Sequence, residues 1–258
     1  MPRIGIGIGL GLFQGSTFDA SYQAVLNYAT SLGYTLPSSA QQVKQNKLIV
    51  DLKAGGVWNK LDTFAVFANN GGSNFGLIDW KRLALYTAVN SPTFTTNEGF
   101  TGNGTSSYID TNFNPATQAV NYGLNNASRY IYHFSGTGTL VSDGVASNAS
   151  YNSLRLGATT QNTINGTTAL SASFTFSTTK GVKSIHRTST TDVTLFNDKT
   201  GGNRTSLANL SLSSMIQVIL RRATVYGSNE VSAYAMGASL ITENDAFVDA
   251  LNTYINSL

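Results

Sequence analysis

From about Thr63 onward the chain consists of short runs rich in β-branched and aromatic residues, each closed by a cluster of Gly, Asn, Ser or Asp. This is the pattern of an all-β sandwich. The predicted strands are 64–68, 93–96, 108–111, 129–134, 153–156, 173–176, 182–187, 193–197, 215–220 and 231–236. Between them stand Asn70-Gly71-Gly72, Asn103-Gly104, Asp143-Gly144, Asn165-Gly166 and Thr200-Gly201-Gly202. Asn-Gly and Asp-Gly reach the positive φ that tight hairpin turns demand. No helical pattern intervenes, which argues against a parallel α/β sheet.

Helical periodicity is confined to the two ends. Phe18, Tyr22, Val25, Leu26, Ala29 and Leu32 recur at 3.6-residue spacing after Ser16 and Asp19, an N-cap pair, and Gly33 suits the stop. A second helix opens after Pro37, with Ser39 and Gln42 as its capping box. Its stripe is Ala40, Val43, Val50 and Ala54, widened by Leu48, Ile49 and Leu52, and Gly55-Gly56 ends it. A closing helix starts around Thr242, Glu243 and Asp245 and buries Phe247, Val248, Leu251, Tyr254, Ile255 and Leu258.

Ahead of these helices Ile4, Ile6, Ile8, Leu10 and Leu12 alternate with Gly5, Gly7, Gly9 and Gly11. Period two puts the aliphatic side chains on one strand face and bare backbone on the other. A lone strand leaves its hydrogen-bonding edge open. The five aliphatic residues are therefore the candidate assembly residues, an arm that pairs within its subunit or adds to a neighbour. The expected division is 1–56, arm and helical hairpin, and 57–258, sandwich and closing helix.

Composition narrows the function classes. Charged residues are 11% of the chain, under half the usual share of about a quarter. The 16 Lys and Arg are scattered apart from Lys81-Arg82 and Arg221-Arg222, whereas nucleic-acid binders gather them on one face. No apolar run reaches the ~20 residues of a membrane span, and the glycine-broken opening predicts no cleaved leader. With no cysteine there is no disulfide and no thiolate metal site. No cofactor is expected.

Catalytic groups are sparse. His133 and His186 both fall in predicted strands, and no G-x-S-x-G elbow accompanies them. The three glutamates, Glu98, Glu230 and Glu243, have no acidic partner at strand spacing, which a glycosidase needs. Asp110, Asn112 and Asn114 mimic the opening of a calcium loop, but Pro115 replaces its glycine and Asn121 its closing glutamate. Asx turns explain them better. Catalytic and metal residues are accordingly expected to be none, and the ligand-binding residues stay unknown. Trp58 and Trp80 read as core plugs rather than sugar platforms. The sequons at Asn103, Asn126, Asn148, Asn165, Asn203 and Asn209 match the chance rate of so Asn-, Ser- and Thr-rich a chain.

Several stretches carry a resemblance: Val57 to Ala68, Leu77 to Lys81, Asn90 to Thr95 and Gly99 to Pro115, then Gly181 to Arg187 with Val193 to Asp198, and Met236 to Asp245. Together they resemble a module of bacteriophage virion and tail-associated proteins, similar to the concanavalin A-like or LamG-like jelly roll. The turn at Phe196-Asn197-Asp198 departs from that module's Tyr-Asn-Gly. The resemblance spans roughly residues 57–258 and implies a mainly β jelly-roll sandwich. It also implies a non-enzymatic virion structural protein (tail, fibre, spike or capsid decoration), homo-oligomeric and joined to other virion proteins. A glycan-binding adhesin touching host surface glycan is the alternative, and a glycan-degrading enzyme the third reading. No nucleic acid and no membrane insertion are expected, and the location is the phage particle.

Overall fold

A computed structural model describes residues 18–137, 142–145, 151–157, 162–166, 174–204, 208–209, 211–222 and 224–258. The arm residues Ile4, Ile6, Ile8, Leu10 and Leu12 lie outside them. The fold is mainly β, a jelly-roll β-sandwich with two helices ahead of it and one behind.

Among the described residues the larger sheet has eight strands. Seven run in the order Thr200–Arg204, Val193–Asn197, Gly181–Arg187, Ala127–Ser135, Glu230–Gly237, Gly99–Thr101 and Thr93–Thr95. Leu61–Val66 joins the same edge of Glu230–Gly237 beside Gly99–Thr101. The second sheet has six strands: Thr163–Gly166, Tyr151–Leu154, Ser142–Val145, Val218–Ile219, Tyr108–Asp110 and Thr87–Val89. Every pairing in both is antiparallel.

Strand alternation splits the apolar residues between two cores. Phe64, Val66 and Ala68 point to the helix side, while Ala65 and Phe67 point between the sheets. Tyr130 and Tyr132 face the helices, and Ile131 faces the second sheet. The helix-side core also takes Tyr22, Val25, Leu48, Ile49, Leu52, Phe247, Leu251 and Tyr254. The change of secondary structure near residue 56 therefore does not interrupt the core. Trp58 and Trp80 are both buried there, Trp80 edge-on to Phe64 at 5.7 Å.

The helices depart in detail from the sequence reading. Helix Ala20–Ser31 is capped by Asp19, whose carboxylate accepts from Ser21 N, and Ser16 of the expected pair lies outside the described residues. Helix Ser39–Ala54 is capped by Ser38 rather than Ser39, and Gln42 Nε2 donates back to Pro37 O. Its buried face is Gln41, Gln45, Leu48, Ile49 and Leu52, whereas Val43 and Val50 are exposed. The two glutamines win the inner face because both ends of each amide are satisfied there. Gln45 accepts from Tyr22 Oη at 2.6 Å and donates to Tyr254 Oη at 2.9 Å; Gln41 accepts from Asn70 N and donates to Asn97 Oδ1. Gly55 is required by contact, since a Cβ there would stand 2.7 Å from Ala246 Cβ of the closing helix. That helix, Asn244–Ile255, follows Glu243 without a side-chain cap, and neither Thr242 nor Asp245 caps it.

Three expected turns are strands instead. Asp143-Gly144 lies inside Ser142–Val145, Asn165-Gly166 ends Thr163–Gly166, and Gly201-Gly202 lies inside Thr200–Arg204. The turn before the last of these is Asp198-Lys199, with Asp198 at φ +49°. Gly201 and Gly202 lie under aromatic rings, where a Cβ would meet Phe196 and Phe174 at 2.5 Å. Between 174 and 176 only a bridge from Phe176 to Leu156 forms where a strand was expected.

Candidate functional site

The groups able to do chemistry lie mostly inside. Ser184 Oγ is 3.0 Å from His186 Nε2 and 3.2 Å from Asn244 Oδ1, all three buried. The outline is that of a nucleophile, a base and an orienting group. The hydroxyl donates to Asn244 Oδ1, and burial closes all three groups to a substrate. The imidazole ring is held edge-on between Tyr130 at 5.1 Å and Phe196 at 5.3 Å. Burial lowers the His186 pKa to about 3, so the ring is neutral. His133 is also pushed down by burial. Its Nε2 accepts from Asn229 Nδ2 at 3.2 Å and its Nδ1 donates to Thr179 O at 3.2 Å.

The buried carboxylates are likewise spent on local donors. Asp62 accepts from the backbone N–H groups of Val120, Asn121 and Tyr122. Asp79 accepts from Thr63 Oγ1, from the backbone N–H groups of Phe64, Lys81 and Arg82, and from Arg82 Nε. Arg82 carries this network on to the carbonyls of Thr111 and Asn112. Of the glutamates, Glu230 is buried and accepts from Ser135 Oγ, and Glu243 pairs with Lys60 at 2.7 Å. The loop at 110–114 is a pair of Asx turns: Asp110 accepts from Asn112 N, and Asn114 accepts from Ala116 N. Among the described residues no group of three or more acidic or histidine side chains is placed to hold a metal.

Two guanidinium groups are buried between the sheets, a placement with no sequence signal. Arg129 donates from Nη2 to Gln217 Oε1 at 3.0 Å and to Tyr234 Oη at 3.2 Å, and from Nη1 to Asn152 O at 2.5 Å. Arg187 donates to the carbonyls of Ile164, Ser189 and Thr190. Neutral carbonyls and amides solvate both cations in place of water.

Glu98 is the exception among the glutamates. It lines an open cleft of about 460 Å³ with Thr96, Asn97, Phe134, Lys180, Ile255, Asn256 and Leu258. A turn in the larger sheet, the end of Ala127–Ser135, the entry to Gly181–Arg187 and the end of the closing helix meet there. Lys180 Nζ stands 4.1 Å above the centre of the Phe134 ring, a cation–π arrangement. The adjacent turn is fixed from behind. Asn97 Oδ1 accepts from Gln41 Nε2, Asn97 N donates to Asn69 O, and Ser232 Oγ donates to Glu98 O at 2.5 Å.

No family model matches this chain, and no curated protein matches it either. Similar solved structures include domain 4 of AbnA, a GH43 extracellular arabinanase from Geobacillus stearothermophilus, in complex with arabinotriose. The identity is 10%, over 73% of this chain and 98% of that one, with a TM-score of 0.44. A Trypanosoma rangeli sialidase mutant displaying trans-sialidase activity is 11% identical over 82% of this chain and 39% of its own, with a TM-score of 0.48. The botulinum neurotoxin serotype D binding domain is 10% identical over 76% and 51%, with a TM-score of 0.45. Likeness at this level extends no further than the path of the chain.

Proposed function

We propose that this protein is a non-enzymatic structural component of a bacteriophage particle, a tail, fibre, spike or capsid-decoration module that packs against other virion proteins and copies of itself. The observation that carries the non-enzymatic part is the burial of Ser184, His186 and Asn244, which bond to one another under the closing helix and face no substrate. Chemistry-bearing groups spent on internal bonds suit a module whose task is to be stable. Low charge suits dense packing of many copies, because like-charge repulsion is small. The phage assignment rests on the sequence resemblance. Its test is antibody labelling of purified particles in the electron microscope, with peptide mass spectrometry of the same particles. Labelling and peptides at a fixed copy number are expected; absence from washed particles overturns the reading.

A second reading, an adhesin contacting host glycan, is favoured by one observation. The cleft beside Glu98 presents an aromatic ring, a cation and several amide and carboxylate groups in one concavity. A glycan-degrading enzyme is the weakest reading, because Glu230 and Glu243 are committed to Ser135 and Lys60.

A further inference from the structure

The cleft at the Thr96–Glu98 turn brings a cation, a carboxylate and two amides together. Its volume of about 460 Å³ lies in the ~300–1,000 Å³ range of small-molecule sites. Phe134, Ile255 and Leu258 line it beside Asn97, Glu98, Lys180 and Asn256, which supply polar groups. We propose that it is a saccharide-binding site selective for a sugar that carries a carboxylate. This inference rests on the glycan-contacting reading above and names its site and ligand class.

Three features point to that ligand. Lys180 is the one cationic side chain among the lining residues, and among the described residues it is held over Phe134 with no acid in salt-bridge reach. Its ammonium has three donors, so a ligand carboxylate finds a counter-charge at the ring. Glu98 is the one acidic side chain in the lining, and two carboxylate oxygens accept a pair of neighbouring sugar hydroxyls. Asn97 spends its carbonyl oxygen on Gln41, which leaves its NH₂ as a donor toward a ring or hydroxyl oxygen. A phosphate-rich ligand fits poorly, because Glu98 would repel it where only one lysine attracts it.

The turn is also preorganised. Asn97 sits at φ +65° and Gly99 at φ +130°, and a Cβ on Gly99 would come within 2.0 Å of Val231 O. The backbone behind Asn97 and Glu98 is tied to Asn69 and Ser232. A ligand therefore pays little ordering entropy in that wall.

The test uses the full chain on an array of uronate-capped, sialate-capped and neutral oligosaccharides, followed by calorimetry on the best binder. Binding confined to carboxylated glycans is expected, with at least ~10-fold weakening, about 1.4 kcal/mol, in both Lys180→Ala and Glu98→Gln. Melting temperatures should stay unchanged, because both side chains are surface groups. Affinity for the acidic glycan should also fall with added salt. Equal binding of neutral glycans, unaffected by Lys180→Ala, overturns the selectivity. Carboxylate-dependent binding that survives both substitutions moves the site elsewhere and leaves the glycan reading standing. No binding to any array member overturns both.

Discussion

Ser184 and His186 are two residues apart on one strand and share a 3.0 Å hydrogen bond. Residues i and i+2 of a strand share a face, and this face is covered by the closing helix through Asn244 and Phe247. A serine so placed meets no substrate. Ser184→Ala should therefore change no hydrolytic activity and should cost about 1–2 kcal/mol of stability. Urea unfolding measures the cost, and labelling by a fluorophosphonate probe would contradict the assignment.

His186 also sets a pH dependence. Its folded pKa, about 3, is below the ordinary value near 6.5, so between these limits the unfolded chain binds more protons. Stability then rises with pH in that window. The contribution is complete above about pH 6.5 and is lost as pH falls toward 3, with a slope approaching ~1.4 kcal/mol per pH unit. Burial of His133 acts in the same direction. Chemical denaturation from pH 7 to pH 4 should show the fall, and His186→Gln should flatten it.

Arg129 is a buried cation held by an amide, a phenol and a carbonyl. Replacement by leucine leaves Gln217 Oε1 with only Asn152 Nδ2 at 3.3 Å and takes the guanidinium donor from Asn152 O in the inter-sheet core, so a loss of ~1–3 kcal/mol is expected. Lysine should rescue little, because it lacks the planar fork that reaches two partners at once. Guanidinium melts of both variants test the ranking; a fully stable Arg129→Lys would refute it.

The reassigned face of helix Ser39–Ala54 makes a paired forecast. Gln45→Ala leaves Tyr22 and Tyr254 hydroxyls without their shared partner, at a cost of ~1–3 kcal/mol. Val43→Ser and Val50→Ser, on the exposed face, should stay within ~0.5 kcal/mol of the parent. The reverse order in thermal melts would return the helix to the valine-facing orientation.

At Asp110 the carboxylate closes an Asx turn onto Asn112 N at 2.8 Å. Asp110→Ala should therefore cost about 1 kcal/mol whether or not calcium is present. EDTA should leave the melting temperature of the parent unchanged. A fall of many degrees with chelator, restored by calcium, would show that the loop holds a metal after all.

The sequence by itself determined the architecture, because its strongest signals are local and periodic. Alternating runs such as Phe64 to Ala68 and Val231 to Met236 can hide two apolar faces only in stacked layers, and the 3.6-residue stripe of the closing helix can bury only against one of them. The inward side of Phe64 followed from that alone.

Tertiary structure decided where a local signal has two meanings. Glycines at 201 and 202 read as turn punctuation, yet they lie in a strand because Phe196 and Phe174 occupy the space over them. Gln41 and Gln45 stand off the predicted stripe of Ala40, Val43, Val50 and Ala54, yet they are buried because partners from 70, 97, 22 and 254 satisfy their amides. The same holds for Arg129 and for the cleft. Glu98, Phe134, Lys180 and Asn256 belong to four separate parts of the sequence, and no spacing rule joins them. Hydrogen-bond satisfaction and side-chain juxtaposition depend on neighbours distant in the chain, so only the packed molecule brings these groups together.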